Sequence, residues 1–447
     1  MSKKTLAQTI LLLAALGPAA LAADRYLVRV SPSKIGDVVA RHGLTLVRSL
    51  QGSANGLYLV QAPPGMDSRQ VAADTSVQSL ELDGVLHLPE TAADFSSQAS
   101  TQINGLGAPT VATLNGVPAL GAYVNQPAGA VIALGAARTF ATGAGAVVAI
   151  LDTGVDPNHP VLKNSLLTGY DFTRNTSGGS ELADLAQSTT AILDQSTTAI
   201  LDDMQSTTAI LDKNQVVILN QSTTAILDQS TTAILDHAKL PAAFGHGTMV
   251  AGLVHLVAPA AKILPVKVFT SDGSTTVDQI AAGIDWAVAH GADVISMSFS
   301  SSQGSPLLQT AITNATNAGV ICVASAGNDG QPVVVYPAAY NVIGVGSTND
   351  SMVRSSFSNY GPNVDLAAPG EGDITLYPYN NYAAGWGTSF SAPLVSGSAA
   401  LLVQIASSTN ESQATQALSK AIPIGQQLGA GELNALLACL YQYIHSR

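Results

Sequence analysis

From Val147 onward, short apolar runs alternate with segments of helical spacing. Residues 147–151, 262–268, 293–298, 320–324 and 342–346 read as buried strands, while 276–289 and 306–318 carry the longer period of helices. This alternation predicts a doubly wound parallel α/β sheet with helices on both faces. Upstream, 24–90 follows a different rhythm. Residues 26–30 alternate like a strand, and 33–43 have helical spacing, with Ser33 as a candidate cap and Gly43 as a stop. Residues 44–47 and 56–60 are two more strands, 68–73 a second helix, and 77–88 hold the last strand or strands. The order βαββαβ predicts a small α+β, ferredoxin-like unit, with two helices on one face of an antiparallel sheet. Residues 91–122, rich in Ala, Ser, Gly and Thr, read as a linker. Gln126-Pro127 and 132–140 then lead into the larger domain, at 123–445.

One stretch fits neither rhythm. The octad Gln-Ser-Thr-Thr-Ala-Ile-Leu-Asp begins at Gln187, Gln195, Gln205, Gln221 and Gln229, with a degenerate copy over 214–220. A helix would rotate successive octads by about 80° and lose a common face. An even period keeps each position on one face of a strand. Any ordered form of 187–236 is therefore expected to be short strands, as a meander or small solenoid. A tolerated surface loop grown by repeat expansion is the plainer reading; binding or anchoring is the alternative.

Composition narrows the class. The chain has 447 residues, 47% of them hydrophobic and 11% charged, which suits a large buried core. A net charge of −12 argues against nucleic acid and anionic membranes as partners. Lys3 and Lys4, the apolar run 10–16 and Ala20-Leu21-Ala22 form a signal-peptide pattern over 1–22. Export with cleavage is the expectation, a membrane anchor the competing one. No later run is long and apolar enough to span a bilayer. Cys322 and Cys439 are expected as two buried free thiols rather than a disulfide. No Cys/His cluster has zinc-ligand spacing.

Three motifs carry candidate chemistry: Asp152-Thr153-Gly154, His246-Gly247-Thr248 and Gly387-Thr388-Ser389-Phe390-Ser391-Ala392-Pro393. A serine hydroxyl needs a base to take its proton and an acid to orient that base. Asp152 follows an apolar strand, where sites of parallel sheets fall. His246 lies between two glycines, ahead of a helical run. Ser389 starts another helical stretch, whose free N–H groups suit a developing oxyanion. Ser391 is the nearby rival nucleophile. His159, His255 and His290 read as structural or merely exposed.

These motifs, in this order and with Ala324-Ser325-Ala326-Gly327-Asn328, resemble the subtilisin-like (subtilase) serine protease family over about 123–437. The resemblance implies a secreted serine endopeptidase acting on polypeptides, with Asp152, His246 and Ser389 as the triad and Asn328 as oxyanion donor. It implies that 24–90 is an inhibitory propeptide cut within 91–122; an unrelated accessory domain is the alternative. Ser298-Phe299-Ser300-Ser301 aligns with the family's Ser-Leu-Gly-Gly substrate edge and departs from it at both glycines. Gly273 and Ser274 resemble the opposite edge. No cofactor is needed for the chemistry, and structural calcium is implied by resemblance only. A monomer free of membrane and nucleic acid, partnered by its own propeptide, is expected. A retired protease core serving as a surface or adhesion protein, or an esterase with the same triad, are the rival functions.

Overall fold

The computed structural model describes residues 24–50, 56–88, 110–187, 193–194, 207–212, 215–220, 224–227, 234–235, 241, 243–425 and 427–446. The signal-like segment 1–22 and residues 91–109 of the expected linker lie outside them. The chain divides into two compact units, Met1–Gly84 and Val85–Arg447.

In the first unit β1 (Arg25–Val30), α1 (Ile35–His42), β2 (Thr45–Leu50), β3 (Leu57–Gln61), α2 (Ser68–Ala72) and β4 (Val77–Leu82) follow the predicted βαββαβ order. The sheet order is β2-β3-β1-β4, with antiparallel neighbours. Its core is Val28, Val30, Val38, Leu44, Tyr58, Val60 and Val71. Helix α1 ends at Gly43, whose φ of 62° lies in the left-handed region where glycine carries no Cβ penalty.

The second unit opens with β5 (Val85–His87). Residues 111–122, expected as linker, instead form a hairpin, β6 (Val111–Leu114) and β7 (Val117–Leu120), and a first helical turn. The reason is burial: Leu114, Leu120 and Tyr123 enter the main core. Then come β8 (Val147–Asp152), β9 (Tyr170–Asp171), β10 (Thr176–Ser177) and the repeat strands β11 (Leu193–Asp194), β12 (Thr207–Asp212), β13 (Gln215–Asn220), β14 (Thr224–Leu227) and β15 (Ile234–Leu235). Helix α3 (His246–Val257) is followed by β16 (Lys262–Lys267), β17 (Ser274–Thr276), α4 (Val277–Ala289), β18 (Val294–Met297), α5 (Pro306–Asn317), β19 (Ile321–Ser325), β20 (Ile343–Thr348) and β21 (Leu366–Pro369). The hairpin β22 (Glu371–Tyr377) and β23 (Asn381–Trp386) leads into α6 (Thr388–Ile405), α7 (Glu411–Leu418) and α8 (Ala435–His445).

The main sheet runs β10-β9-β16-β8-β18-β19-β20-β21, parallel from β9 to β21. Strand β8 sits between β16 and β18, so the chain winds outward from it in both directions, and a site is expected beyond its carboxyl end. Helix α6 is the described helix long and apolar enough to cross a bilayer by composition, yet it is 89% buried inside the fold, as a core helix is. Both cysteines are free and buried.

The described parts of the octads at Gln187, Gln205, Gln221 and Gln229 include short strands, the form an even period favours; the copy at Gln195 lies outside the described residues. Copies at Gln205 and Gln221 supply β12 and β14, which lie parallel with Ile210 opposite Ile226 and Leu211 opposite Leu227, so like octad positions face each other. The degenerate copy supplies β13, antiparallel to β12. Strand β14 pairs with β23, extending the hairpin that precedes Ser389.

Candidate active site

Asp152 ends β8, whose residues from Val148 onward are buried. The backbone N–H groups of Val268 and Phe269 both donate to the Asp152 carbonyl, at 3.0 and 3.1 Å, and fix the strand end. The carboxylate is inaccessible to solvent. Its Oδ1 accepts the Thr153 N–H at 2.7 Å, and His246 Nδ1 lies 2.7 Å from Oδ1 and 2.9 Å from Oδ2.

His246 is the first residue of α3, and its ring lies 5.8 Å from that of Phe390. Gly247 is required by close approach: a Cβ there would stand 2.0 Å from the Gly154 carbonyl oxygen. The Asp and His motifs can meet only because this residue has no side chain.

Ser389 is the second residue of α6, after Gly387 at φ 147°. Pro393 lies inside this helix and has no N–H, so the Ser389 carbonyl loses its helical donor. Ser298 fills the gap: its Oγ donates to the Ser389 carbonyl at 2.9 Å, and Ser389 Oγ donates to the Ser298 carbonyl at 3.1 Å. The nucleophile candidate is thus tied to the end of β18 in this state, and no hydrogen bond joins it to His246 among the described residues. Ser391 is fully buried with its hydroxyl unpartnered, and a Cβ on Gly370 would stand 2.3 Å from it. It faces the interior and cannot meet a substrate.

Asn328 follows β19. Its Oδ1 accepts both the N–H and the hydroxyl of Thr388, each at 2.9 Å. That arrangement fixes the amide orientation, because both partners are donors. The NH2 group is left to point elsewhere, 3.3 Å from where a Gly387 Cβ would lie.

The two expected substrate edges differ in character. At one edge β17 pairs antiparallel with β5, with Ser274 opposite His87, and the Leu88 N–H donates to the Gly273 carbonyl at 2.9 Å. An extended segment of the chain therefore already lies along Gly273–Thr276. At the other, Phe299 is 1% exposed and packs on Phe269 at 5.3 Å, so its side chain belongs to the core. The Ser300 hydroxyl oxygen lies 3.1 Å from where a Gly327 Cβ would be, while Ser301 bridges to Tyr336.

Sequence reading missed the layer beneath. Glu181, fully buried, accepts the Gly245 N–H at 2.8 Å and the Thr153 hydroxyl at 3.3 Å, and bonds the Thr248 hydroxyl. Thr153 Oγ1 in turn accepts the Gly247 N–H at 2.9 Å. Glu181 thus joins the Asp152 and His246 motifs from below; burial is the main cause that pushes its carboxyl well above the usual range. Lys267 Nζ donates to the Thr153 and Phe269 carbonyls at 2.7 and 2.6 Å and to Asp184 at 2.9 Å. No local motif marks Glu181: it stands 64 residues before Gly245, on the far side of the repeats.

A buried Asp–His pair beyond the central strand of a doubly wound sheet, with the His246 ring 5.8 Å from that of Phe390, the neighbour of Ser389, fits the class of serine hydrolases. The Subtilase family model matches residues 143–434, and the chain belongs to that family of serine peptidases. It is 33% identical to Thermitase of Thermoactinomyces vulgaris, over 68% of this chain and 91% of that protein. It is 41% identical to Subtilisin BL of Lederbergia lenta, over 36% of this chain and 63% of that protein. A cold-adapted subtilisin-like serine proteinase superposes with a TM-score of 0.50 at 26% identity, covering 66% of this chain and 90% of the other. A Pseudoalteromonas arctica protease does so at 0.53 and 27%, covering 70% and 94%. Subtilase chemistry needs no cofactor. Calcium is implied by the resemblance alone; among the described residues no group of three or more His, Cys, Asp or Glu side chains could hold a metal ion.

Proposed function

We propose that the protein is an exported endopeptidase that cleaves polypeptides through an acyl-enzyme, with Asp152, His246 and Ser389 as its triad. The observation carrying this reading is the Asp152 carboxylate on His246 Nδ1, at 2.7 and 2.9 Å. It leaves Nε2 as the proton acceptor, and the buried carboxylate would stabilise the imidazolium that forms. Rotation of the Ser389 side chain from the Ser298 carbonyl toward His246 starts the reaction. His246 takes the hydroxyl proton as Oγ attacks the peptide carbonyl, then returns it to the leaving amine. The Asn328 amide and the Ser389 N–H receive the oxyanion. A covalent serine-hydrolase probe followed by mass spectrometry of the labelled peptide tests the assignment; label on any residue but Ser389 would refute it.

Asn328→Ala is expected to lower kcat by about 10²–10³ with little change in KM, the scale reported for the matching donor in subtilisin. Steady-state kinetics on a peptide anilide checks this.

Peptide rather than small-ester substrates are supported by the docking of β5 on β17, which shows an extended strand adding to the Gly273–Thr276 edge. The same contact supports a propeptide role for the preceding unit. The described pairing along this edge ends at Leu88, and the hairpin from Val111 is built into the core. Self-cleavage is therefore expected within 89–109. N-terminal sequencing of mature protein checks it; a mature chain beginning after Leu120 contradicts it.

Deleting 188–236 behind a short Gly/Ser linker is expected to leave hydrolysis of a small peptide within a few-fold of the parent. Loop-closure cost grows only logarithmically with length, and Glu181 and Asp184 precede the cut. A variant that matures but cannot cleave the small peptide would show that pairing of β14 with β23 helps form the site.

A further inference from the structure

Glu181 opens a short 3-10 turn, Glu181–Gln187, beneath the loops that carry Asp152 and His246. Its side chain is fully buried. Oε2 accepts the Gly245 N–H at 2.8 Å and the Thr153 hydroxyl at 3.3 Å, and Oε1 meets the Thr248 hydroxyl. One carboxyl thus touches the residue after Asp152, the residue before His246 and the helix that His246 begins. Both hydroxyls are themselves held. Thr153 Oγ1 accepts the Gly247 N–H at 2.9 Å, and Thr248 Oγ1 accepts the Asp156 N–H at 2.8 Å.

A buried carboxylate without a counter-charge is strongly unfavourable. The cations of this layer are already matched. Arg174 pairs with Asp171 at 2.7 Å and with Asp184, and Lys267 pairs with Asp184 at 2.9 Å, so two cations face two acids. The other contacts of Lys267 Nζ go to the Thr153 and Phe269 carbonyls. Glu181 makes no ion pair among the described residues. The remaining groups around it bring no positive charge. Asp152, on β8, is engaged with His246 and repels a second anion. Asp156 is committed to the N–H groups of Asn158 and Tyr379. Tyr377, on β22, and Tyr379 are both raised, first by burial, and stay phenols. The bonds from Thr248 and Gly245 and the charge of Lys267 favour the anion, but burial outweighs them and holds the Glu181 carboxyl well above the ordinary range.

We propose that Glu181 is a positioning residue for the triad and works as a neutral carboxylic acid, its Oε2 accepting from the Asp152 and His246 loops and its acid proton shared with the Thr248 hydroxyl. In this form it ties the two loops together without placing a second negative charge under the imidazole, and Asp152 alone balances the imidazolium. The inference rests on Asp152, His246 and Ser389 acting as the triad.

The test compares the matured parent with Glu181→Gln and Glu181→Leu on a peptide anilide. Gln is neutral, keeps an acceptor for Gly245 and Thr153, and can donate to Thr248, so it should hold kcat within a few-fold of the parent. The acid limb of kcat/KM, where His246 loses its proton, should not move. An ionised Glu181 would hold that proton more tightly, so Glu181→Gln would then shift the limb down by about one pH unit. Such a shift overturns the proposal. Glu181→Leu removes every one of these bonds and should lower kcat by about ten- to a hundredfold with KM little changed, the scale on which small misplacements of reacting groups act. Glu181→Asp, one methylene shorter, carries the same expectation should the Leu chain not mature. Parental kcat in the Leu or Asp chain, or a Gln chain as impaired as these, also overturns the proposal. Covalent probe labelling of the parent separates the two readings. An unlabelled Ser389 there refutes the triad itself, whereas a labelled Ser389 with a shifted limb refutes only the role of Glu181.

Discussion

Ser389→Ala will lower kcat by about a million-fold while leaving the fold intact, the scale on which subtilisin responds when its nucleophile is removed. The reasoning is local. The hydroxyl makes one hydrogen bond, to the Ser298 carbonyl, and the reciprocal bond from Ser298 Oγ to the Ser389 carbonyl survives the change. Helix α6 therefore keeps the substitute donor that Pro393 makes necessary. Activity on a peptide substrate, far-UV circular dichroism and serine-probe labelling together check this. Labelling that moved to Ser391 would be unexpected, because that hydroxyl is sealed in the core. Residual activity of about 10³–10⁴ over the uncatalysed rate is expected from the oxyanion donors and substrate binding alone.

Stability is expected to be greatest in mildly acid solution and to fall as the pH is raised. Burial pushes the carboxyls of Glu411 and Glu432 up to about 8, from an ordinary 4.5. Burial likewise drives Asp373 well above its usual range, with Asp350, Glu432 and Glu371 adding their charge. A carboxyl raised in the folded state keeps its proton where the unfolded chain has lost it, so stability is lost as pH climbs from about 4.5 to about 8. The buried histidines act in the opposite sense at lower pH. His255 is held down at about 4 and His159 is lowered, chiefly by burial, so both favour folding more as pH rises toward 6.5. The two effects partly offset below 6.5, and only the carboxyls act above it. The thermal midpoint of the Ser389→Ala chain should therefore fall most steeply between about 6.5 and 8. Glu432→Gln should flatten that fall, since an amide cannot ionise. A midpoint that rises through this window would refute the argument.

Much of this was legible in the chain because the signals were short-range. Apolar runs flanked by helical periods named the five central strands, and the even octad period made short strands the expected form of any ordered repeat. Asp152, His246, Ser389 and Asn328 stood out because each sits in a Gly/Thr-rich motif of fixed local shape. What the chain hid was long-range. Glu181 reaches Gly245 and Thr248 only after the repeats are looped away, and no spacing rule links them. The exchange of hydrogen bonds between Ser298 and Ser389 depends on Pro393, which lies inside α6 and frees a carbonyl that another element must satisfy. The hairpin 111–120 was misread as linker because its residues are small and uncharged. Its burial follows from what packs over it, not from its own pattern.

The like-on-like pairing of β12 and β14 has a bearing on how this gene can change. DNA repeats expand and contract by slippage in whole units. Gain or loss of one octad exchanges a strand for an identical one, so backbone pairing and the side presented by each residue are preserved. A slip of an odd number of residues would turn every Ile and Leu in the strand to the opposite face. Close relatives of this chain should therefore differ in length here by multiples of eight, with the segment from Glu181 to Asp184 and the hairpin before Ser389 held constant.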